Sequence, residues 1–221
     1  MTRFGALAAI LLPALSAAAA DPAPATATSS GLPGHWSVVT GETVSPDRDA
    51  IGLEVGWPGV SFSYLHGTSD RTDLGIKLDL LYGFEQTTDW AFGAGLDVPL
   101  RLVVNRSDRV SIAVHVDPGL RIYTQNSQTD FMTRFPVGGT LGFQATPLVR
   151  LGVSADLTMA VNWTHTQFFE VGPQFGLSAE YFADKNVLWG LNLKFGPQYY
   201  TYTASTTDLA FTAQVVIGYR M

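Results

Sequence analysis

The stretch Leu148 to Trp163, LVRLGVSADLTMAVNW, sorts by parity. Val149, Leu151, Val153, Ala155, Leu157, Met159, Val161 and Trp163 are all apolar. Arg150, Gly152, Ser154, Asp156, Thr158, Ala160 and Asn162 are polar or small. Side chains alternate across a strand, so a period of two dictates a β-strand with one apolar face. The run is longer than the roughly 5–6 residues of a usual soluble strand. It suits a tilted strand crossing a bilayer, which needs about 9–11 residues.

The device recurs from Ala50 to the end of the chain. Strands are expected near 50–57, 59–66, 73–83, 89–104, 109–123, 134–146, 148–163, 168–182, 186–200 and 208–220. The first two form a tight hairpin around Trp57-Pro58-Gly59. The pattern implies an all-β, antiparallel up-and-down transmembrane β-barrel of about ten strands, with eight as the even-numbered alternative. One set of connections is short: 67–72, Asn105 to Asp108, Thr146-Pro147 and Ala183 to Lys185. The opposite set includes Gln125 to Thr133, Thr164 to Gln167 and Thr201 to Thr207. Short periplasmic turns opposite longer outer loops are the habit of outer-membrane barrels.

Alternation alone does not say which face meets water. The apolar parity is nearly unbroken, as in Leu74, Ile76, Leu78, Leu80 and Tyr82, or Val187, Trp189, Leu191, Leu193 and Phe195. A soluble barrel of this size could not fit so many large side chains inside. Aromatic residues of this parity cluster at strand ends: Trp57, Tyr82, Trp90, Trp163, Phe169, Tyr199 and Phe211 at one rim, and Tyr181, Trp189 and Tyr219 at the other. Amphipathic rings favour the headgroup zone, so these residues read as two girdles. Strand glycines fall on the polar parity, with Gly139 the exception. Inside a narrow barrel, glycine makes room for large polar side chains. The apolar face therefore turns to lipid.

Residues 1–20 read as a secretory signal: Arg3, an apolar core from Phe4 to Leu15, then Ala18-Ala19-Ala20 before Asp21. Residues 21–49 read as a flexible periplasmic lead, rich in Pro, Ala, Thr and Ser as far as Gly34. Its one apolar patch, Trp36-Ser37-Val38-Val39, fits either a small extra strand or part of that lead. Residues 50–221 are the barrel. Charged residues are only 14% of the chain, and the net charge is −6. No basic stripe offers a nucleic-acid surface. With no Cys there is no disulfide, thiol nucleophile or thiolate metal site.

The signal, the long alternating strands, the aromatic girdles and a strand that ends the chain together resemble the small bacterial outer-membrane β-barrels. The resemblance covers about Ala50 to Met221 and implies an outer-membrane location in a Gram-negative bacterium. It also implies that Leu209 to Met221 is read by the outer-membrane assembly machinery. That signal usually ends in Phe or Trp, whereas this chain ends in Met221.

The inward parity carries the candidate functional residues. The acids are Glu54, Asp79, Asp97, Asp117, Asp156, Glu170 and Glu180; the bases are Lys77, Arg101, Arg121, Arg150, Lys194 and Arg220. His115 shares this parity with Asp117. Buried charges must pair or stay hydrated. The set therefore reads as a network filling the lumen, or else as the lining of a narrow pore for small solutes. Lipid-modifying enzymes of the outer membrane place Ser and His at the outer rim. His165 sits in an outer loop, but no Ser–His pair of matching parity accompanies it, so no catalytic residue, metal or cofactor is assigned. The expected partners are the lipid bilayer, the assembly machinery and a surface ligand at the polar outer loops.

Overall fold

The computed structural model describes residues 36–85, 90–125, 127–164, 168–201 and 206–221. His165 and most of the Thr201 to Thr207 loop fall outside the described residues. Thirteen strand segments run in chain order: β1 (Asp49–Trp57), β2 (Gly59–Gly67), β3 (Thr72–Gly83), β4 (Trp90–Asp97), β5 (Leu100–Arg106), β6 (Val110–Val116), β7 (Gly119–Gln125), β8 (Gln128–Arg134), β9 (Val137–Thr146), β10 (Val149–Asn162), β11 (Phe168–Phe182), β12 (Val187–Tyr200) and β13 (Thr206–Arg220).

These segments make ten wall strands, because β4 continues into β5, β6 into β7 and β8 into β9. Each break falls at a proline: Pro99, Pro118 and Pro136. Proline has no N–H to give to a ladder. Its carbonyl still accepts, and the wall holds through Val98 N–H to Pro118 O (2.9 Å), Asp117 N–H to Pro136 O (3.0 Å) and Gly75 N–H to Pro99 O (2.9 Å). The breaks do not change parity, so Asp97, Arg101 and Arg121 keep to one face.

All pairings are antiparallel, and β1 pairs with both β2 and β13. Ile51 lies opposite Tyr64 on one side and Tyr219 on the other. The chain is a closed ten-strand antiparallel β-barrel. The eight-strand alternative is set aside, because both strands of the first hairpin belong to the wall.

The register fixes the shape of the barrel. Starting at Phe182, the ladder runs through Leu188, Gly218, Gly52, Ser63, Lys77, Asp97, Gly119, Arg134 and Ala160. It returns to β11 at Glu170, twelve residues from its start at 182. With about 3.3 Å per residue and about 4.7 Å between strands, a shear of twelve over ten strands tilts them by about 40° and sets a backbone radius of about 10 Å.

The outer surface is a field of exposed apolar side chains, with Leu80 and Trp90 each 69% accessible and Phe92 76%. Glu54, Asp79, Asp97, Arg121, Arg150, Asp156, Glu170 and Glu180 are buried on the inner face. The expected loop Gln125 to Thr133 is corrected. β7 and β8 extend through it, with Tyr123 opposite Asp130 and Thr124 opposite Thr129. β-branched Thr sits well in a strand even where the surroundings are wet, so polar composition concealed a hairpin.

Candidate functional site

Away from the end where β1 begins, the described inward side chains meet in three groups. In the first, Glu54 accepts from Lys77 Nζ at 2.7 Å. In the second, Arg121 lies 2.7 Å from Asp79, 2.7 Å from Asp97 and 3.3 Å from Glu85. Arg134 donates to the same Glu85. In the third, Asp156 holds Lys194 at 2.7 Å and His115 at 2.8 Å. Glycines make the second and third groups possible. Gly95 lies between Asp79 and Arg121 in the ladder, and Gly138 between His115 and Asp156. A Cβ on Gly95 would lie 2.3 Å from Arg121 Nη1, and one on Gly138 would lie 1.9 Å from Asp156 Oδ1. Each pair therefore reaches across a whole intervening strand.

Glu85 lies beyond the end of β3. Burial would raise its carboxyl, but Arg134 and Arg121 outweigh burial and hold it below the usual range. His115 pairs with Asp156 rather than with its parity neighbour Asp117. Asp117 faces the cavity with no side-chain hydrogen bond or ion pair among the described residues.

The end of the barrel where β1 begins holds something other than side chains of the wall. Residues Trp36 to Val44 lie inside it without joining the ladder. Glu180 accepts the backbone N–H groups of Val38 (2.8 Å) and Val39 (3.0 Å), and the hydroxyls of Ser37 (3.2 Å) and Thr40. Arg101 donates to the carbonyls of Ser37 (3.0 Å) and Val38 (3.2 Å) while its guanidinium pairs with Asp73 at 2.6 Å. Ser111 donates to Gly41 O at 3.0 Å. Arg106 donates to Glu42 and to the Thr43 hydroxyl, and Arg150 lies 3.6 Å from Glu42. Trp36 is buried in an apolar cluster with Leu65, Phe182, Leu188 and Val216, and Arg220 lies over its ring at 5.4 Å. Glycine again supplies the space. A Cβ on Gly142 would stand 2.3 Å from Thr40 O, and one on Gly152 would stand 3.2 Å from Thr40 Cα.

At the far end the inner face turns apolar. Leu81, Ala91, Tyr123, Met132 and Ala160 form a buried cluster, with Phe84 against Tyr123 at 4.6 Å between ring centroids. Between this layer and the plug lies a cavity of about 200 Å³. Its lining includes Lys77, Arg101, His115, Asp117, Asp156 and Lys194.

Of the rim aromatics, Trp90, Trp163, Phe169, Tyr181, Trp189, Tyr199, Phe211 and Tyr219 are exposed on the outer surface. Trp57 and Tyr82 are half-buried, each packed against the other and against Trp90. Four lumen residues were missed by the sequence reading: Asp73, Arg134, Glu85 and Glu42. Asp73 has the inward parity of β3, and that signal was available. Glu42 sits in a segment with no periodicity to read.

Comparison with protein-family models and with curated proteins returns no match. Among solved structures, the chain is similar to a CymD monoaromatic hydrocarbon channel. The identity is 9%, the TM-score is 0.33, and the match covers 80% of this chain and 88% of that one. A likeness that weak carries no argument, and the functional reading rests on the barrel itself.

Proposed function

We propose that the chain is an integral outer-membrane barrel, closed at rest, with a structural or surface-interaction role. The carrying observation is the segment Trp36–Val44 lodged among ion-paired side chains inside the barrel. An unbroken apolar exterior supports the membrane setting, since soluble monomers rarely expose apolar patches beyond a few hundred Å². The end holding the plug faces the periplasm, the side of short turns and of an exported N-terminus. The paired rim aromatics then sit at the two headgroup zones. The last strand addresses the assembly machinery, and the opposite loops are the surface for any ligand.

A gated pathway for small solutes is the second reading, and the polar cavity favours it. The test is to refold the full chain into sealed vesicles loaded with a small sugar. The expected result is inserted protein and no leak. Leakage from vesicles with verified insertion would replace the closed barrel with the solute pathway.

A further inference from the structure

We propose that the periplasmic half of the lumen is a peptide-binding site, and that Trp36–Val44 is its tethered ligand. The inference does not require that the barrel ever conduct. Five observations converge on it. The ladder is complete without the segment: all ten wall strands pair on both sides with each other. The segment is held instead as a ligand is held, by side chains reaching its backbone from strands far apart in sequence. Glu180 of β11 takes two successive N–H groups, Arg101 of β5 takes two successive carbonyls, and Ser111 of β6 takes a third.

The wall is also shaped for a main chain. Gly142 lies where any side chain would strike the Thr40 carbonyl, at 2.3 Å, while a Cβ on Gly152 would meet Ser178 Oγ of the wall at 2.3 Å and crowd Thr40 Cα at 3.2 Å. An anchor sits at one end, where Trp36 is fully buried and its indole N–H reaches Lys185 O at 3.2 Å. Finally, the link to the barrel is short and its residues Pro46 to Arg48 are exposed. A short tether raises the effective concentration of a ligand to about the millimolar range, so even a weak site stays filled. The ligand class is an extended peptide: an aromatic residue, then small and β-branched residues with free backbone groups, then an acid.

The experiment replaces Pro46-Asp47 with the recognition sequence of a specific protease and cleaves the folded full-length chain in detergent. The expected result is that the N-terminal fragment stays with the barrel after cleavage. It should leave on dilution, and the emptied barrel should rebind a synthetic peptide of residues 36–45. Affinity should fall at least tenfold for Glu180→Gln in the barrel, and as much for Trp36→Ala in the peptide. In the uncleaved chain, Glu180→Gln should leave the heat-dependent gel mobility of the folded barrel unchanged. Either of two results overturns the proposal. One is an emptied, folded barrel that does not rebind the peptide. The other is a barrel that unfolds once the fragment is gone, which makes the segment core rather than ligand.

Discussion

Gly138 separates His115 from Asp156 in the ladder, and the 2.8 Å contact between them exists only because the position has no Cβ. Gly138→Val should cost about 1–3 kcal/mol, the range for a mutation that disrupts a buried polar contact. The shift of the urea unfolding midpoint in micelles measures it. Arg121 is a harsher case. It is the shared partner of Asp79 and Asp97 and touches Glu85. Arg121→Ala strands buried carboxylates and should cost about 3–5 kcal/mol. Glu85 adds a pH dependence. Its folded carboxyl lies below the ordinary value of 4.5, so its contribution is present above that value and is lost as pH falls through the lowered folded one. Unfolding midpoints measured downward from about pH 5 should fall in the native chain, and fall less in Glu85→Gln.

Among the elements, the plug is the one that should move by itself. Its N–H groups at Val38 and Val39 depend on one side chain, Glu180, while strand amides depend on a closed ladder. Hydrogen exchange should find these two amides opening at least tenfold faster than those of β12 and β13. Glu180→Gln, which weakens that one acceptor, should speed them further while the strand amides hold. The hairpin tip of β7 and β8 is the opposite kind of element. Among its described residues from 125 to 128, the one side-chain bond reaching outside the hairpin is the exposed Gln125 Nε2 to Trp90 O at 2.9 Å, so replacing residues 125–128 with Asn-Gly-Asn-Gly should change stability by no more than about 1 kcal/mol. Parity made the wall strands and their inward charges legible, because a period of two states both the element and its face. It could not show the proline breaks, which keep parity. Nor could it reveal Trp36–Val44 as a plug, since a segment held by distant side chains leaves no period in its own residues.

For the whole molecule, ten strands at a shear of twelve enclose a lumen about 10 Å in backbone radius. That is too wide to leave empty and narrow enough for side chains and one extra segment to fill. The chain fills it with ion pairs at mid-height, its own N-terminal segment at one end and an apolar layer at the other. It turns its large apolar side chains outward, so the barrel should refold only with detergent or lipid, and a stable fold in plain buffer would contradict the membrane setting. The direct test of the closed lumen is ion current across a planar bilayer holding the refolded full chain. Inserted protein that stays silent at moderate voltage is the result this account predicts. Steady, stepwise current from the intact chain would mean that plug and apolar layer leave a continuous path for ions, and would contradict it.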